Sequence, residues 1–294
     1  MFVSAIEKVN NFTRPIHTIT RTYAGLISPG TATFFFVNEE GVAITCKHVM
    51  DIIAQTDAIN HHYNAFKIER DRLVKDHSYT ANLQALEQKY NMWAETLIQL
   101  KNAFRNSFDQ VTGFQWYMHP TLDLAILKFN GFNQKFYNSH ATFVSDPRKV
   151  KQGRSLCRLG YPFPEFNNFS YDHYTDDIEW NNIGVQDSPS FPIDGIITRY
   201  GAVPGGQVAS IEMSTPGLRG QSGGPLFDVD GLVYGMQSMT QHLHLGFDIH
   251  ELEIINNGTR AKVSNYPFLH VGHCVHVDRI KDFLREHNVK FYEE

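Results

Sequence analysis

The stretch Gly217-Leu-Arg-Gly-Gln-Ser-Gly-Gly-Pro-Leu-Phe227 determines how the rest of the chain is interpreted. Four glycines surround one serine, Ser222. A glycine-rich backbone can expose a hydroxyl and turn successive N–H groups toward one point, where they stabilise negative charge on an attacked carbonyl oxygen. The stretch therefore predicts a nucleophilic Ser222. The alternative is a glycine-rich hairpin in which the serine only caps a turn.

A nucleophilic serine needs a base that accepts its proton and an acid that orients the base. The segment ITCKHV places His48 just after a predicted strand, and HPTLDLAIL places Asp123 at the start of another. A single histidine would carry little weight, because the chain contains 15 of them. Together with Ser222, the two segments predict a serine, histidine and aspartate that act as a unit.

These motifs resemble those of the trypsin-like serine peptidases of the chymotrypsin fold, most closely the bacterial Deg/HtrA branch. The resemblance rests on TxxHV at 45–49, DLAIL at 123–127, GQSGGPL at 220–226 and the late VGHCV at 271–275, and it spans most of residues 17 to 287. It implies that His48 is the general base, Asp123 its orienting carboxylate and Ser222 the nucleophile. It also implies that the N–H groups of Gly220 and Ser222 form the oxyanion hole.

The resemblance implies an all-β fold, a chymotrypsin-like double β-barrel with a C-terminal helix. We expect an N-terminal barrel at residues 1–140 that carries His48 and Asp123, and a C-terminal barrel at 141–294 that carries Ser222. Glycine and proline recur from 153 to 225, as in a segment with many turns. The predicted strands and the final helix are Ala32–Val37, Gly41–Thr45, Leu122–Phe129, Ser155–Leu159, Gly195–Tyr200, Gln207–Met213, Leu226–Val229, Leu232–Met239, His270–Val277 and the helix Asp278–His287.

The interval between His48 and Asp123 is longer than in compact members of the family, which predicts a helical insertion at about 57–112. Apolar residues spaced by three and four positions predict one long helix from about Thr80 to Phe108. Residues 51–78 fit a short helix after His48, followed by either a helix or a hairpin, and the sequence does not decide between these. For residues 161–195 we expect an ordered loop over the second barrel, with a partner-binding segment as the alternative. The apolar face of the helix packs on the outside of the barrel or provides a lid or docking surface for a regulatory protein or second subunit.

The resemblance also implies which segments hold the substrate. The segment before the serine and the strand after it would line the pocket for the residue before the scissile bond, and an extended peptide would add to that strand. No carboxylate lies at the expected floor, so we expect an uncharged, apolar substrate residue there. A histidine that lines the pocket would instead favour an acidic one. The predicted substrate-binding residues are Pro216, Gly217, Arg219, Gln237, Ser238, Met239 and Thr240.

Composition excludes several classes of function. The 294 residues include 26 basic and 31 acidic side chains, a formal charge of −5, with no run of like charges; we therefore expect no nucleic-acid partner. No stretch of about 18 apolar residues and no secretory leader is present, so we expect no membrane partner and a cytoplasmic location. The widely separated Cys46, Cys157 and Cys274 are interpreted as reduced thiols.

The predicted chemistry requires no cofactor and no metal ion. Imidazole is the commonest zinc ligand, but the spacing of the late histidines fits alternation along strands, so we interpret them as strand residues. The histidines in question are His242, His244, His250, His270, His273 and His276.

Two departures from the family pattern bear on activation and on domain content. Gln221 stands where secreted animal members carry an acidic residue that pairs with a freed amino terminus, so activation by terminal cleavage is not implied. Only 72 residues follow Ser222, and the second barrel needs most of them, so we expect no PDZ domain.

The sequence therefore predicts a regulated serine endopeptidase that acts on protein or peptide substrates. The alternatives are a latent or catalytically silent scaffold with the same fold and, less favoured, an esterase. The motif Gly220-x-Ser222-x-Gly224 also fits a nucleophile elbow. That fold places the acid and the histidine after the serine, whereas the best partners here precede it.

Overall fold

Eighteen strands and five α-helices make up the described part of the chain. The computed structural model describes residues 1–202, 205–256 and 258–294. The strands are β1 (Thr13–Thr22), β2 (Ile27–Phe36), β3 (Val42–Thr45), β4 (Leu97–Phe104), β5 (Gly113–Met118), β6 (Ala125–Asn130), β7 (Thr142–Phe143), β8 (Ser155–Gly160), β9 (Phe169–Asp172), β10 (Asp177–Trp180), β11 (Phe191–Ala202), β12 (Val208–Met213), β13 (Pro225–Phe227), β14 (Val233–His244), β15 (Ile249–Asn256), β16 (Thr259–Asn265), β17 (Phe268–His276) and β18 (Tyr292–Glu293). The helices are α1 (Val3–Asn10), α2 (Lys47–Ala54), α3 (Thr56–Arg70), α4 (Tyr79–Lys89) and α5 (Val277–Glu286).

Two large sheets organise these elements. The first has six strands in the order β4-β1-β2-β3-β6-β5. The second has the order β13-β8-β11-β12-β17-β14-β7-β18, and the additional pairing of β13 with β14 closes six of its strands into a barrel. Two further hairpins, β9–β10 and β15–β16, form separate two-stranded sheets. The expected chymotrypsin-like double-barrel architecture, with a helical insertion in the first sheet and a C-terminal helix, is confirmed.

One apolar core extends through both sheets. The run Phe34, Phe35, Phe36 and Val37 is fully buried, because both faces of β2 are covered. Phe35 contacts Phe143 of the second sheet, with ring centroids 6.5 Å apart. Burial of side chains of this size is the main driving force that holds such sheets together.

The hairpin that leads to His48 forms where the sequence predicted it. Strands β2 and β3 pair, and Asn38 in the turn accepts hydrogen bonds from the N–H groups of Glu40 and Val42. Gly41 has φ +80°, and a Cβ there would lie 2.7 Å from the Phe132 ring. Both observations require glycine at this turn. The strands predicted from Leu122 to Val277 and the final helix are likewise confirmed, with ends that differ by a few residues.

The long helix predicted from Thr80 to Phe108 is wrong. The helix α4 ends at Lys89, and β4 then pairs with β1 in the first sheet. Ile98, Leu100 and Phe104 also fit the two-residue period of a strand, and pairing with β1 decides between the two patterns. The predicted helical insertion at 57–112 is therefore corrected to the helices α3 and α4, since β4 belongs to the first sheet.

The undecided segment 51–78 is mostly helical, in α2 and α3, and the predicted loop at 161–195 contains the β9–β10 hairpin. In the described residues, no helix has the length and apolar character needed to cross a bilayer.

One carboxylate links the insertion both to the first sheet and to the β9–β10 hairpin, in addition to the apolar contacts that α3 and α4 make with Ile98 and Tyr23. Asp176, in the turn between β9 and β10, accepts hydrogen bonds from Arg21 of β1 at 2.7 Å and from Arg70 and Tyr63 of α3 at 3.0 and 2.7 Å. Tyr171 donates a fourth at 2.6 Å. Burial would raise the pKa of Asp176, but these four donors outweigh it and hold the pKa well below its ordinary value.

We predict that Asp176→Asn destabilises the protein by about 1–3 kcal/mol at pH 7, because two arginines lose a charged acceptor. A carboxyl with a lowered folded-state pKa stabilises the fold above its unfolded pKa and loses that effect as the pH falls. The difference between wild type and variant should therefore shrink below about pH 4. Urea unfolding at several pH values measures it. Glu179→Gln, on the exposed face of the same hairpin, is the control, and an equal loss in both variants would contradict the assignment.

Candidate active site

The first turn of α2 and two loops bring His48, Asp123 and Ser222 to the junction between the two sheets. His48 is the second residue of α2, directly after β3. Asp123 lies in the loop between β5 and β6, and Ser222 in the loop between β12 and β13. The His48 Nδ1 atom is 2.8 Å from Oδ2 and 3.0 Å from Oδ1 of Asp123. The structure thus places all three predicted residues at one junction, with two of them in direct contact.

The Asp123 carboxylate is held by three donors. Besides the His48 ring, the backbone N–H of His48 donates to Oδ1 at 3.0 Å, and the Ser238 hydroxyl donates to Oδ2 at 2.6 Å. Burial raises the pKa of this carboxyl, but the hydrogen bonds from His48 and Ser238 outweigh burial and lower the pKa to about 2. Asp123 is therefore ionised at neutral pH.

The contact with Asp123 determines which nitrogen of the His48 ring carries the proton. An ionised carboxylate only accepts hydrogen bonds, so His48 Nδ1 carries a proton and Nε2 is left as an acceptor in the neutral ring. The hydrogen bond to Asp123 raises the pKa of His48 above its ordinary value, against the opposing effect of burial. Half of the side chain is exposed, so the free nitrogen can reach solvent or substrate.

The backbone around Ser222 depends on two glycines with positive φ. Gly220 has φ +94° and Gly223 has φ +90°. A Cβ at Gly223 would lie 2.0 Å from the Thr33 carbonyl oxygen, a distance no side chain tolerates. The Gly-Gln-Ser-Gly segment thus lies directly against strand β2 of the first sheet, and only glycine permits this approach.

Hydrogen bonds between the two sheets fix the same segment. The N–H of Thr33 donates to the Ser222 carbonyl at 2.9 Å, and its hydroxyl donates to the Gly220 carbonyl at 2.8 Å. The buried Gln221 side chain donates to the Phe191 carbonyl at 2.9 Å and accepts from the Leu218 N–H at 3.0 Å. Gln221 therefore stabilises the loop with a neutral side chain.

The N–H groups of Gly220 and Ser222 have no acceptor within the part of the chain that the structure describes. The Ser222 hydroxyl donates to the Ser238 carbonyl at 3.2 Å, and no hydrogen bond to His48 is formed among the described residues. The site thus contains two unpaired backbone donors beside a hydroxyl that points toward β14.

Two depressions meet at Ser222. The β14 cleft, of about 410 Å³, is lined by all seven predicted substrate-binding residues together with Leu218, Ser222, His242 and His270. The α2 groove, of about 370 Å³, contains both His48 and Ser222. Its other walls are largely apolar and come from β1, β2, α2 and the loop before Ser222, namely Thr18, Thr20, Gly30, Thr31, Ala32, Val49, Ile52, Ile53, Arg219 and Gly220.

Sequence reasoning missed three contributors to this site. It placed Ser238 in the substrate pocket but did not foresee its hydrogen bond to Asp123, which depends on the docking of the two sheets. Thr33 gave no signal because it is an ordinary strand residue. Arg158 could have been noticed as a charged residue inside the predicted strand SLCRL, yet its position behind the β14 cleft follows only from the barrel.

Cys46, His48 and Asp123 lie close enough together to be considered as metal ligands. Burial raises the pKa of the Cys46 thiol well above its ordinary value, and the thiol contacts the Gln237 carbonyl at 3.2 Å. A protonated thiol is a poor ligand, and the His48 nitrogen that faces Asp123 carries a proton. The donor set therefore fits a hydrogen-bonded histidine–aspartate pair better than a metal centre.

Comparison with known proteins found one family model and several solved structures that are similar to this chain. A family model described as trypsin-like peptidase domain matches residues 30–236. Among solved structures, a variant of the HtrA-type protease AlgW with tripeptide has a TM-score of 0.49 at 14 % identity, over 97 % of this chain and 62 % of that chain. AlgW with tripeptide has a TM-score of 0.46 at 15 % identity, over 98 % and 65 %.

This chain thus spans less than two thirds of the length of these two proteins. No curated protein is similar enough in sequence to count as a match. The family model, however, extends over well more than half of the chain and includes all three residues at the junction. The chain therefore belongs to the family of trypsin-like peptidase domains.

Proposed function

We propose that this protein is a serine endopeptidase in which Ser222 attacks the peptide bond, His48 accepts its proton and Asp123 orients His48. The observation that carries the proposal is the 2.8 Å contact between His48 Nδ1 and Asp123, which leaves Nε2 free in a groove that Ser222 also lines. General-base activation of a serine requires a base oriented in this way, and it is completed when the Ser222 hydroxyl turns from the Ser238 carbonyl to His48 Nε2.

The proposed reaction has two halves. In the first, Ser222 Oγ bonds to the scissile carbonyl carbon while its proton moves to His48 Nε2, and His48 then gives that proton to the leaving amine as the C–N bond breaks. In the second, water attacks the resulting ester, passes a proton through His48 to Ser222 Oγ and releases the carboxyl product. Asp123 remains ionised throughout, because its pKa of about 2 lies far below neutral.

The unpaired N–H groups of Gly220 and Ser222 would stabilise the oxyanion of each tetrahedral intermediate. Donors that are already aimed at the developing charge need no reorganisation during the reaction, and each contributes about 3 kcal/mol in known hydrolases. The glycines on either side of Gln221 and Ser222 hold these two groups in place.

A latent form of the same enzyme is the second candidate, favoured by the 3.2 Å hydrogen bond from Ser222 Oγ to the Ser238 carbonyl. Rotation about the Cα–Cβ bond of Ser222 would exchange this acceptor for His48. We propose that a regulatory protein or a second subunit that contacts the insertion controls this exchange, and the 59 % exposed Trp93 after α4 supports the proposal.

The cysteines bear on where the protein acts. Three buried free thiols support a reducing, cytoplasmic setting.

We predict that Ser222→Ala and His48→Ala each lower kcat for digestion of an unfolded protein by about 10⁴-fold or more, because each removes one half of the proton-transfer pair. Release of peptides from reduced, alkylated casein measures the effect. Ser145→Ala, an exposed serine after β7, should retain full activity. Unchanged digestion by either of the first two variants would refute the assigned roles.

We predict that Asp123→Asn lowers kcat by about 10³–10⁴-fold, because the amide no longer stabilises the protonated ring or selects the tautomer. The residual activity should also change its pH profile. Activity needs neutral His48 and therefore rises as the pH passes the His48 pKa, which Asp123 raises. Without the carboxylate this rise should move to lower pH.

The pH dependence of kcat/KM, measured for wild type and Asp123→Asn, tests this shift. Asp51→Asn is a useful control, because Asp51 raises the pKa of His48 only through its more distant charge. If kcat/KM rises at the same pH in all three proteins, Asp123 does not raise the pKa of His48.

A further inference from the structure

A buried arginine lies beneath the β14 cleft. Arg158 of β8 is 0 % exposed, and its guanidinium contacts the Gln237 side chain at 2.7 Å and the carbonyl and hydroxyl of Thr215 at 3.0 and 2.5 Å. Its Nε atom has no hydrogen-bond partner in the described residues. All of the acceptors that it contacts are neutral. The charge is therefore buried without a counter-ion, which is costly.

The floor of the cleft is built around this side chain. A Cβ at Gly217 would lie 2.2 Å from Gln237 Nε2, and a Cβ at Gly272 would lie 2.2 Å from Arg158 Nη1. Glycine at both positions thus leaves the space that the two polar side chains occupy. A buried pair of polar side chains points to a specific role for the arginine, because apolar residues fill most barrel interiors.

The arginine also determines which way the Gln237 amide faces. A guanidinium only donates hydrogen bonds, so the Gln237 oxygen faces Arg158 and its NH₂ group lies beside Gly217 and Met239, which both line the cleft. One amide hydrogen is directed to the Met239 carbonyl at 2.9 Å, which leaves the second for a ligand. The cleft floor therefore presents a donor that is polarised by the positive charge behind it.

The residues that line the β14 cleft also favour a negatively charged ligand. Arg219, His242 and His270 line the cleft, and no carboxylate is among its lining residues in the described part of the chain. The pKa of Arg158 is lowered by burial, with no nearby carboxylate to offset the effect. A negative charge that entered the cleft would lie near the Gln237 amide and Arg219 and would compensate the buried guanidinium.

From this geometry we infer that the β14 cleft selects an acidic side chain, aspartate or glutamate, immediately before the scissile bond, with Gln237 as the direct contact and Arg158 as the positioning residue behind it. The inference rests on the proposed peptidase function and names its substrate class. The sequence favoured an uncharged, apolar residue and kept an acidic one, selected by a pocket histidine, as the alternative. The inference takes that alternative for a different reason, because the sequence did not show Arg158 to lie behind the cleft.

The test uses the full chain and internally quenched peptides that differ only in the residue before the cleaved bond, which is glutamate, glutamine, leucine or lysine. Mass spectrometry of the products confirms the bond cut. We expect kcat/KM for the glutamate peptide to exceed that for the glutamine peptide by at least about tenfold, because hydrogen bonds to charged groups are the stronger ones. Lysine should be the poorest of the four.

Two variants test the residues. Arg158→Met removes the charge at similar length, and Gln237→Glu replaces the donor by an acceptor and supplies Arg158 with an internal counter-ion. Each should reduce the glutamate-to-glutamine ratio to about one. Arg154→Met is the matched control, since Arg154 lies in the turn before β8 and contacts Tyr234 and Asp228 instead; it should keep the wild-type ratio.

The wild-type ratio decides the inference even where a variant fails to fold. A ratio near one, or a preference for leucine or lysine, together with Ser222-dependent digestion of casein, would overturn the inference and leave the peptidase function intact. Absence of Ser222-dependent digestion would overturn both. An unchanged ratio in a folded Arg158→Met would remove Arg158 from the account of specificity.

Discussion

The site depends on the docking of the two sheets at Thr33 and Ser222. The first sheet supplies the histidine and the aspartate, and the second supplies the serine and its loop. Thr33 holds the two together through hydrogen bonds to the carbonyls of Gly220 and Ser222. A second link joins Asp123 to Ser238 at 2.6 Å. Any change in the relative position of the sheets would therefore alter the serine loop and the carboxylate together.

The close packing of the two sheets explains why glycine is required at several positions around the site and how two charged side chains are held there. Gly223 lies so close to Thr33 that no side chain fits, and Gly217 and Gly272 leave space for Gln237 and Arg158. The junction thus brings together an ionised Asp123, in contact with three donors, and a buried Arg158 that contacts only neutral acceptors. Asp123 contacts His48, and Arg158 contacts Gln237 of the cleft. The carboxylate orients the base, and we infer that the guanidinium orients the substrate.

Much of this arrangement could be predicted from the sequence, because its motifs are local. The glycines around Ser222, the histidine after a hairpin and the aspartate before a strand each have a short-range pattern that reflects their chemistry. The segment from Leu97 to Phe104 could not be assigned in the same way. Its apolar residues fit both a helix and a strand, and its pairing with β1, about 80 residues earlier in the chain, decides the outcome.

The other features that the sequence did not predict depend on contacts between residues far apart in the chain. The hydrogen bond between Ser238 and Asp123 joins residues 115 positions apart, and the contact between Arg158 and Gln237 joins residues 79 apart. Neither has a sequence pattern, since each depends on where the closed barrel places two strands. The exposed β15–β16 hairpin was missed for a different reason, because its residues lack the regular alternation of a half-buried strand.

The most direct measurement is the site of covalent modification after incubation of the protein with a fluorophosphonate, determined by intact mass and peptide mapping. The account predicts one adduct per chain, located on Ser222 and lost when His48 is replaced by alanine, because only a serine with an assembled base and oxyanion site reacts at an appreciable rate. An adduct on another residue, or labelling of Ser222 that does not depend on His48, would contradict the account.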